Sequence, residues 1–337
     1  KWVECGSACH GQCKSGHCSY YQGYTEGSSV SGYWFNDFVR MGDAIQHNPA
    51  VISRMGCHQN ENKLFFTQKA NGILGVAPQG RFGGKTLLQD IFSHREQVDH
   101  TVFAICLAEW GGRLVVGGAN ETYHTGPVQW IPMRATGFYN VGLSGMRVNG
   151  QRMQGSFGTA MIDSGTTYTY MASQPYRSLK SAIETYCTAH GGCGAAKVSL
   201  TCWDVPEGGL SRFPDVDVLF GEVSTAWKPK AYMYRKGTGR KWCYTFEDDG
   251  RKANTVLGAS WMLHQEIIFD LSRQKVGIAP AACPEFHERP VHSKDLDISV
   301  PTVPPPTTAA PATTRAPTTT AAPTTTVAPT TTTVAPT

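Results

Sequence analysis

The stretch Thr159-Ala-Met-Ile-Asp163-Ser-Gly-Thr-Thr-Tyr-Thr-Tyr170 decides the fold, because it places a carboxylate directly after a short apolar run. The apolar residues before Asp163 predict a buried strand, and Gly165 predicts a tight turn just beyond it. The hydroxyl groups of Thr166 and of the threonine after it can donate hydrogen bonds to the carboxylate and fix its orientation. A surface turn with a capping Asp is the alternative for such a short pattern, but the apolar strand favours a buried site.

The composition excludes several classes of protein. Of the 337 residues 40% are apolar, which is enough for one or two sizeable cores. The net charge of +4 is mild and no long run of lysine or arginine occurs, so we expect no nucleic-acid partner. No stretch approaches the roughly 18 consecutive apolar residues that would cross a bilayer. The 11 cysteines indicate disulfides and an oxidising compartment, and their odd number leaves at least one thiol free or paired outside the chain.

Short apolar runs between glycines and polar turns predict a mostly β protein with few helices. The clearest hairpin spans residues 20–39 with a polar turn at 25–29. A strand at 50–57 is predicted to lead into a polar loop at 57–63 and a return at 64–66. Further strands are predicted, in chain order, at 102–108, 112–118, 128–133, 139–143, 216–220, 243–246, 255–258, 266–270 and 275–279. Gly72 and Gly75 flank two apolar residues, as where two backbones approach closely.

Two segments predict helices. Residues 87–92 are short and amphipathic, and residues 174–187 place their apolar and aromatic side chains at helical spacing. From about residue 300 the chain consists almost entirely of threonine, proline, alanine and valine, with Arg315 as its one charged residue. Such a segment cannot bury a core, so we predict a disordered tail with the composition of an O-glycosylated stalk.

Four cysteines at positions 5, 9, 13 and 18 stand close together with His10 and His17, so a zinc site and a disulfide-bonded loop are both open. The spacing matches none of the familiar paired-ligand zinc motifs, and the many other cysteines favour disulfides. How these four and Cys57 pair cannot be deduced from the sequence. No His-Glu-x-x-His pattern occurs, and we expect neither a metal nor a cofactor.

Several of these stretches together resemble the pepsin-like aspartic proteases, and they follow that family's order over residues 20–283. The hairpin around Tyr24 resembles the flap that closes over substrate. Residues 160–166 are similar to the second of the family's two catalytic Asp-Thr/Ser-Gly motifs. Residues 72–75 and 256–258 resemble the segments that brace the two catalytic loops, and residues 267–280 resemble the closing strands. The resemblance implies an all-β, bilobal fold with few short helices.

The same resemblance implies an aspartic endopeptidase that acts on polypeptides. Asp163 would be a catalytic carboxylate, lying on the floor of a cleft and facing Tyr24 across it. Gly165 and Thr166 would contact the substrate backbone. Tyr24 and Gly27 would belong to the closing flap.

Within the family the chain looks most like the plasmepsin V group of apicomplexans, which cuts secretory-pathway proteins at motifs containing arginine and leucine. The resemblance rests on the flap sequence, on residues 56–58 and on the cysteine-rich segment before the flap. It implies that Glu26 and Glu61 contact the substrate arginine. Two carboxylates near a cleft suit a guanidinium group through charge-assisted hydrogen bonds, whereas two solvated loop residues are the plainer alternative.

The mechanism of the family needs two carboxylates that share one proton. In the family the first catalytic Asp precedes the flap tyrosine, and none of the 23 residues before Tyr24 is Asp. We interpret this as a truncated chain whose partner carboxylate lies outside residues 1–337. The alternatives are a catalytically inactive protein with the same fold that binds or inhibits, and an adhesin carried on the Thr/Pro stalk.

The resemblance also implies the organisation of the chain. An incomplete N-terminal lobe would span 1–118, a C-terminal lobe 119–288, and the tail 289–337. Disulfides would join Cys202 with Cys243 and Cys106 with Cys283, and Cys187 with Cys193 would close a local loop. We expect a monomer in the secretory pathway, at the cell surface or in the endoplasmic reticulum or Golgi lumen, with membrane attachment beyond the tail left open. The sequence Asn120-Glu-Thr122 is an N-glycosylation sequon.

Overall fold

The structure, a computed structural model, describes residues 1–24, 27–42, 49–62, 65, 71–78, 84–252 and 254–286. Residues 1–287 form one unit by their contacts. The predicted tail at 289–337 lies outside the described residues.

Strands dominate the described residues, as the short apolar runs predict. In the first half of the chain they are β1 (Gln12–Lys14), β2 (His17–Gly23), β3 (Ser29–Val39), β4 (Val51–Glu61), β5 (Val102–Ala108), β6 (Gly111–Val116), β7 (Gln129–Thr136), β8 (Phe138–Gly142), β9 (Gly145–Val148), β10 (Gln151–Arg152) and β11 (Thr159–Ile162). In the second half they are β12 (Thr169–Met171), β13 (Ala196–Lys197), β14 (Cys202–Asp204), β15 (Val216–Phe220), β16 (Val223–Trp227), β17 (Met233–Arg235), β18 (Lys241–Tyr244), β19 (Phe246–Asp248), β20 (Thr255–Leu257), β21 (Gln265–Asp270) and β22 (Lys275–Pro280). One predicted strand, at 243–246, is divided between β18 and β19.

Four helices are described, and both predicted helices are among them. They are α1 (Leu87–Ser93), α2 (Ser173–Ala189), α3 (Pro229–Tyr232) and α4 (Ala259–Met262), with 3-10 turns at Glu121–Tyr123, Gly191–Gly194 and Gly209–Arg212. The start of α1 is fixed by reciprocal hydrogen bonds between Thr86 and Gln89. Along α2 the buried residues recur every four positions from Pro175 to Cys187, so a single face packs inward. None of the described helices is long and apolar enough to span a membrane.

A ten-stranded sheet organises most of the chain, in the order β19-β12-β20-β11-β8-β7-β22-β21-β5-β6. Its middle is held by aromatic stacking, since the rings of Phe103 and Phe269 lie 4.6 Å apart and nearly parallel. Tyr139 packs on Phe269 at 4.6 Å, and all three side chains are buried. Full burial of each such side chain stabilises the fold by about 1.5–3 kcal/mol. The sheet therefore carries strands from both halves of the chain in one continuous core.

A four-stranded antiparallel sheet, β1-β2-β3-β4, contains the predicted hairpin. The hairpin is confirmed, with β2 and β3 paired from Ser19↔Tyr33 to Gly23↔Ser29. The predicted polar loop at 57–63 is wrong, because β4 continues to Glu61 opposite Val30. Backbone hydrogen bonding with β3 outweighs the polar composition of the segment, whose side chains are partly or fully exposed to solvent. Of the predicted return at 64–66, only Phe65 is described.

The expectation of a close backbone approach at Gly72 and Gly75 is also wrong. A Cβ atom built on either glycine would meet no atom within 4 Å. Between them, Ile73 and Leu74 are 51% and 48% exposed, and residues 71–78 form no strand. The segment is instead tied to the large sheet beyond the glycines, where the carbonyl of Val76 accepts a 2.6 Å hydrogen bond from the Tyr139 hydroxyl.

Five disulfides form among the described residues, which confirms the disulfide-bonded N-terminal loop and is consistent with the expected oxidising compartment. Cys5 pairs with Cys13 and Cys9 with Cys18, which leaves none of these thiolates for zinc. The three implied pairs form as well, namely Cys106–Cys283, Cys187–Cys193 and Cys202–Cys243. Cys57 is the one free thiol.

Candidate active site

Three strands place the loop that contains Asp163. Strand β11 ends at Ile162, one residue before Asp163, and pairs in parallel with β20 through Ala160↔Thr255 and Ile162↔Leu257. The chain then turns and returns as β12 on the opposite side of β20, paired through Tyr170↔Val256. Because β20 lies between the two strands that flank the loop, the loop must cross over its end.

Hydrogen bonds hold the Asp163 carboxylate in one orientation. Its Oδ2 accepts a 2.6 Å hydrogen bond from the hydroxyl of Thr166, and its Oδ1 accepts a 3.0 Å hydrogen bond from the backbone N–H of Gly165. Its own backbone N–H donates to the carbonyl of Leu257 at 3.0 Å. The side chain of Asp163 is half-buried, and Gly165 is exposed. The carboxylate is therefore both fixed and accessible, as a group that acts on a bound molecule must be.

Gly165 is required for space and not for an unusual backbone angle. Its φ lies outside the left-handed region, contrary to the expectation of a glycine-dependent turn. A Cβ atom at this position would stand 3.2 Å from Oδ1 of Asp163. A larger residue would therefore crowd the carboxylate oxygen that the Gly165 N–H binds.

The segment after β20 braces the loop from below, as the resemblance implies for residues 256–258. Ala259 donates its N–H to the carbonyl of Thr166 at 2.7 Å, and Ser260 donates to the carbonyl of Thr167 at 3.0 Å. Gly258 packs directly against this part of the loop. Two carbonyl groups of the loop are thus hydrogen-bonded by the segment that follows β20.

An aromatic pair lies next to the loop on the chain. The rings of Tyr168 and Tyr234 are 5.7 Å apart, and Tyr168 belongs to the turn between the loop and β12. Burial raises the pKa of the Tyr168 hydroxyl, and a hydrogen bond with Tyr234 and the charge of Glu247 raise it further. The Tyr168 hydroxyl is therefore a neutral hydrogen-bonding group at physiological pH.

The predicted flap residues lie at the tip of the β2–β3 hairpin. The N–H of Tyr24 donates to the carbonyl of Ser28 at 2.9 Å, and the N–H of Gly27 donates back to Tyr24 at 3.1 Å. Gly27 has a φ of 92°, which glycine adopts without strain. The ring of Tyr24 lies 5.9 Å from that of Phe65. The placement of Tyr24 opposite Asp163 stays a prediction, and Glu26 lies outside the described residues.

Glu61 is bound by a neighbour that the sequence did not identify. Its Oε1 lies 2.6 Å from Nδ1 of His58, and the two side chains are 32% and 23% exposed. His58 and Glu61 are three residues apart in a segment predicted as a loop, which gave no reason to pair them. A bulge near Ser31/Gly32 in the β3–β4 ladder brings the two side chains together. A cleft of about 440 Å³ opens at this end of β4, lined by residues 58–61.

A second acid–base pair missed from sequence joins a fully buried carboxylate of the large sheet to a largely buried histidine. Glu266 is completely inaccessible, and its Oε2 lies 2.5 Å from Nε2 of His124. Its Oε1 accepts a hydrogen bond of 3.2 Å from the N–H of Asn120. The partners are separated by 142 residues, so no local pattern could have revealed them. The pair fastens the segment after β6 to β21.

Metal binding has no candidate among the described residues, since no three His, Cys, Asp or Glu side chains converge there. The chemistry available at the loop is therefore that of the Asp163 carboxylate with its two hydrogen-bond donors.

Comparison with known proteins assigns the family. The profile described as eukaryotic aspartyl protease matches residues 12–281. The chain is a eukaryotic aspartyl protease by family. Its all-β architecture, with one carboxylate loop crossing the end of β20, is that of the pepsin-like members.

This aspartyl protease is similar to the following three known proteins. Aspartic protease 5 of Toxoplasma gondii is 29% identical over 346 residues, which cover 85% of this chain and 31% of the relative. Plasmepsin V of Plasmodium falciparum is 20% identical over 363 residues, which cover 81% and 60%. Embryonic pepsinogen of Gallus gallus is 26% identical over 231 residues, which cover 67% and 57%. The chain thus spans less than two thirds of the length of each of these relatives.

Proposed function

We propose that the protein is an aspartic endopeptidase in which Asp163 is one of two catalytic carboxylates. The observation that carries the proposal is the fixed and accessible state of Asp163, held by Thr166 and Gly165 and braced through β20. Membership of the aspartyl protease family supports the same reaction class.

The reaction adds water across a peptide bond. One carboxylate accepts a proton from the attacking water, while its protonated partner donates a hydrogen bond to the scissile carbonyl oxygen. The leaving nitrogen then takes up a proton as the carbon–nitrogen bond breaks. Among the described residues the hydrogen bonds to the Asp163 carboxylate come from Thr166 and Gly165, and no second carboxylate contributes. We propose that the partner carboxylate lies outside residues 1–337.

The proposed substrate is a polypeptide that carries arginine and leucine near the cleaved bond. Gly165 and Thr166 would contact its backbone, with Tyr24 and Gly27 closing over it. Glu61 would bind the arginine, together with Glu26. A guanidinium would then have to displace His58 from Glu61, or share the carboxylate with it, since the two side chains are only 2.6 Å apart.

The setting we propose is the secretory pathway, with the protein acting as a monomer. Five disulfides support an oxidising compartment. The sequon residue Asn120 supports glycosylation, since Thr122 donates both its N–H and its hydroxyl to the Asn120 side-chain oxygen at 3.2 Å and 2.7 Å. Mass analysis of secreted protein before and after glycosidase treatment tests this part.

The decisive experiment uses the full-length protein read from its transcript. Wild type is expected to cleave a peptide containing arginine and leucine, and Asp163→Asn is expected to abolish cleavage while leaving the melting temperature within a few degrees. An upstream Asp-Thr-Gly or Asp-Ser-Gly should exist, and changing its Asp should have the same effect. A full-length protein that binds the peptide without cutting it would instead be an inactive binding protein.

The arginine preference is tested separately with Glu61→Gln. We expect kcat/KM to fall about tenfold or more for an arginine peptide and to change little for the same peptide with alanine, because only the first loses a charge-assisted contact. Glu222→Gln, at an exposed acid in the turn between β15 and β16, is the matched control. Equal losses of kcat/KM on both peptides would show that Glu61 supports the flap and does not bind the substrate arginine.

A further inference from the structure

A polar cleft of about 410 Å³ lies between strand β10 and helix α2, apart from the Asp163 loop. One wall is formed by the turn around β10, and the other by one face of α2. The polar side chains that line it include Gln151, Arg152, Gln174, Arg177, Ser181 and Thr185. Its volume falls in the range of about 300–1,000 Å³ that is usual for small-molecule sites.

The two walls of the cleft are joined to each other, which fixes the backbone of one wall relative to the other before any ligand binds. The backbone N–H of Gln154 donates to the hydroxyl of Ser178 on α2 at 2.8 Å. The side chain of Met153 is buried beneath, and its N–H donates to the carbonyl of Met146 at 2.8 Å. Gly155 presses against the start of α2, since a Cβ there would stand 2.7 Å from Cδ of Pro175. A preformed cleft of this kind loses little freedom when a ligand enters.

Two guanidinium groups give the cleft its charge. Within the described part of the chain, neither Arg152 nor Arg177 forms an ion pair with a carboxylate, and no lining residue is acidic. Arg152 is held in place by a hydrogen bond to the carbonyl of Ser144 and lies flat against Gly145. One face of its guanidinium is therefore covered.

Asp248 is an acid whose charge interacts with that of Arg177. Its carboxylate already accepts hydrogen bonds from Ser173 and from the N–H of Gly250. The hydrogen bond from Ser173 lowers the pKa of Asp248, and the N–H of Gly250 and the charge of Arg177 lower it further. The α2 helix carries no acid in its first turn. The Asp248 carboxylate faces the positive end of the helix through Ser173, so the charge of the cleft comes from the two guanidinium groups.

The remaining lining residues indicate which kind of molecule would carry the anionic group. The remaining polar side chains are neutral amides and hydroxyls, which match the hydroxyl groups of a sugar. None of the described lining residues is aromatic, so the cleft offers no aromatic ring on which a nucleobase could stack. We infer that this cleft binds a sugar phosphate, with the phosphate on Arg152 and Arg177 and the sugar hydroxyls on Ser181, Thr185 and the glutamines.

Isothermal titration calorimetry on the intact protein with glucose 6-phosphate, inorganic phosphate and glucose tests the inference. We expect glucose 6-phosphate to bind about tenfold or more tightly than inorganic phosphate, and glucose alone not to bind, because both parts of the cleft must be filled. The double variant Arg152→Gln/Arg177→Gln should lose the binding of both phosphates. Arg134→Gln, at an exposed arginine of β7 that does not line the cleft, should bind as wild type does.

A second variant separates the two parts of the cleft. Ser181→Ala/Thr185→Val should weaken glucose 6-phosphate and leave inorganic phosphate unchanged, with melting temperatures confirming that both double variants fold. The inference is overturned if glucose 6-phosphate does not bind, if it binds no better than phosphate, or if the arginine double variant still binds it. None of these outcomes bears on cleavage at Asp163.

Discussion

Gly258 lies so close to the backbone of Tyr168 that a Cβ atom on it would stand 2.1 Å from the Tyr168 carbonyl oxygen. The carbonyl oxygen of Thr166 would be 2.5 Å from the same atom. The φ of Gly258 is −83°, which any residue can adopt. The glycine is therefore required because the Asp163 loop is pressed against it, and not because of its backbone angle.

The substitution Gly258→Ala should destabilise the protein and displace the loop. Backbone atoms cannot move aside as a flexible side chain would, so we expect a loss of about 1–3 kcal/mol or more in the free energy of unfolding. Urea denaturation measures it. The matched control is Gly142→Ala in β8, where an added Cβ meets no atom within 4 Å. Equal stability of the two variants would show that the loop is not packed as described.

The hydroxyl of Thr166 should be needed for activity in full-length protein. The change Thr166→Val keeps the shape of the side chain but removes the 2.6 Å hydrogen bond to Oδ2 of Asp163. A hydrogen bond to a charged group is worth about 1.5–3 kcal/mol, so kcat/KM should fall about 10- to 100-fold.

Thr166→Ser is the control, since it retains the donor, and it should keep most of the activity. Peptide cleavage assays at matched protein concentration give both values. If the valine variant cleaves as fast as the serine variant, the hydroxyl does not orient the carboxylate during the reaction.

The disulfide Cys106–Cys283 should contribute more stability than Cys187–Cys193. The first joins residues 177 apart and the second residues 6 apart. On the chain-entropy account, replacing both cysteines by alanine should cost about 5 kcal/mol for the long loop and about 2 kcal/mol for the short one. Denaturant midpoints of the two double variants test the order. The reverse order would show that the native packing around the bridges outweighs loop entropy.

The free energy of unfolding should decrease at acidic pH, partly because Asp270, at the end of β21, becomes protonated. Burial alone would raise the pKa of this carboxyl, but hydrogen bonds from the Arg273 N–H, from Ser272 and from the Arg273 side chain lower it below its ordinary value. A carboxyl with a lowered folded-state pKa stabilises the fold above its unfolded value near pH 4, and this stabilisation is lost as the pH falls through the folded value.

Asp270→Asn should therefore destabilise the protein at pH 7, by about 2 kcal/mol, and the difference from wild type should shrink below about pH 4. Asp217→Asn, at an exposed pair with Arg147, is the control and should cost less than about 1 kcal/mol. Thermal melts of the three proteins from pH 7 to pH 3 measure the effect. A constant difference at every pH would contradict the role assigned to the charge.

Sequence reasoning identified features that short-range patterns encode. The apolar run before Asp163 gave β11, the spacing of apolar residues gave α2 to within two residues at each end, and the hairpin of β2 and β3 followed from two apolar runs around a polar turn. Resemblance to a known family added three disulfide pairs, two of them long-range, and the bracing of the loop by residues 256–258. The roles of Tyr24, Gly27 and the flap remain predictions.

Only the tertiary structure decided features that depend on distant partners. The polar segment 57–61 became part of β4 because β3 was available to pair with it, and this placed His58 on Glu61. Gly72 and Gly75 stayed open because nothing described packs against them. The buried pair of His124 and Glu266 joins residues that no periodicity relates.

The sequence by itself determined the strands and helices that short-range patterns encode, such as β11 and α2, and the place of the candidate catalytic carboxylate in the chain, because those properties follow from the side chains of a few neighbouring residues. The partner of each polar group was decided only in three dimensions. A hydrogen bond or an ion pair depends on the distance between atoms, and sheet pairing sets that distance independently of separation along the chain.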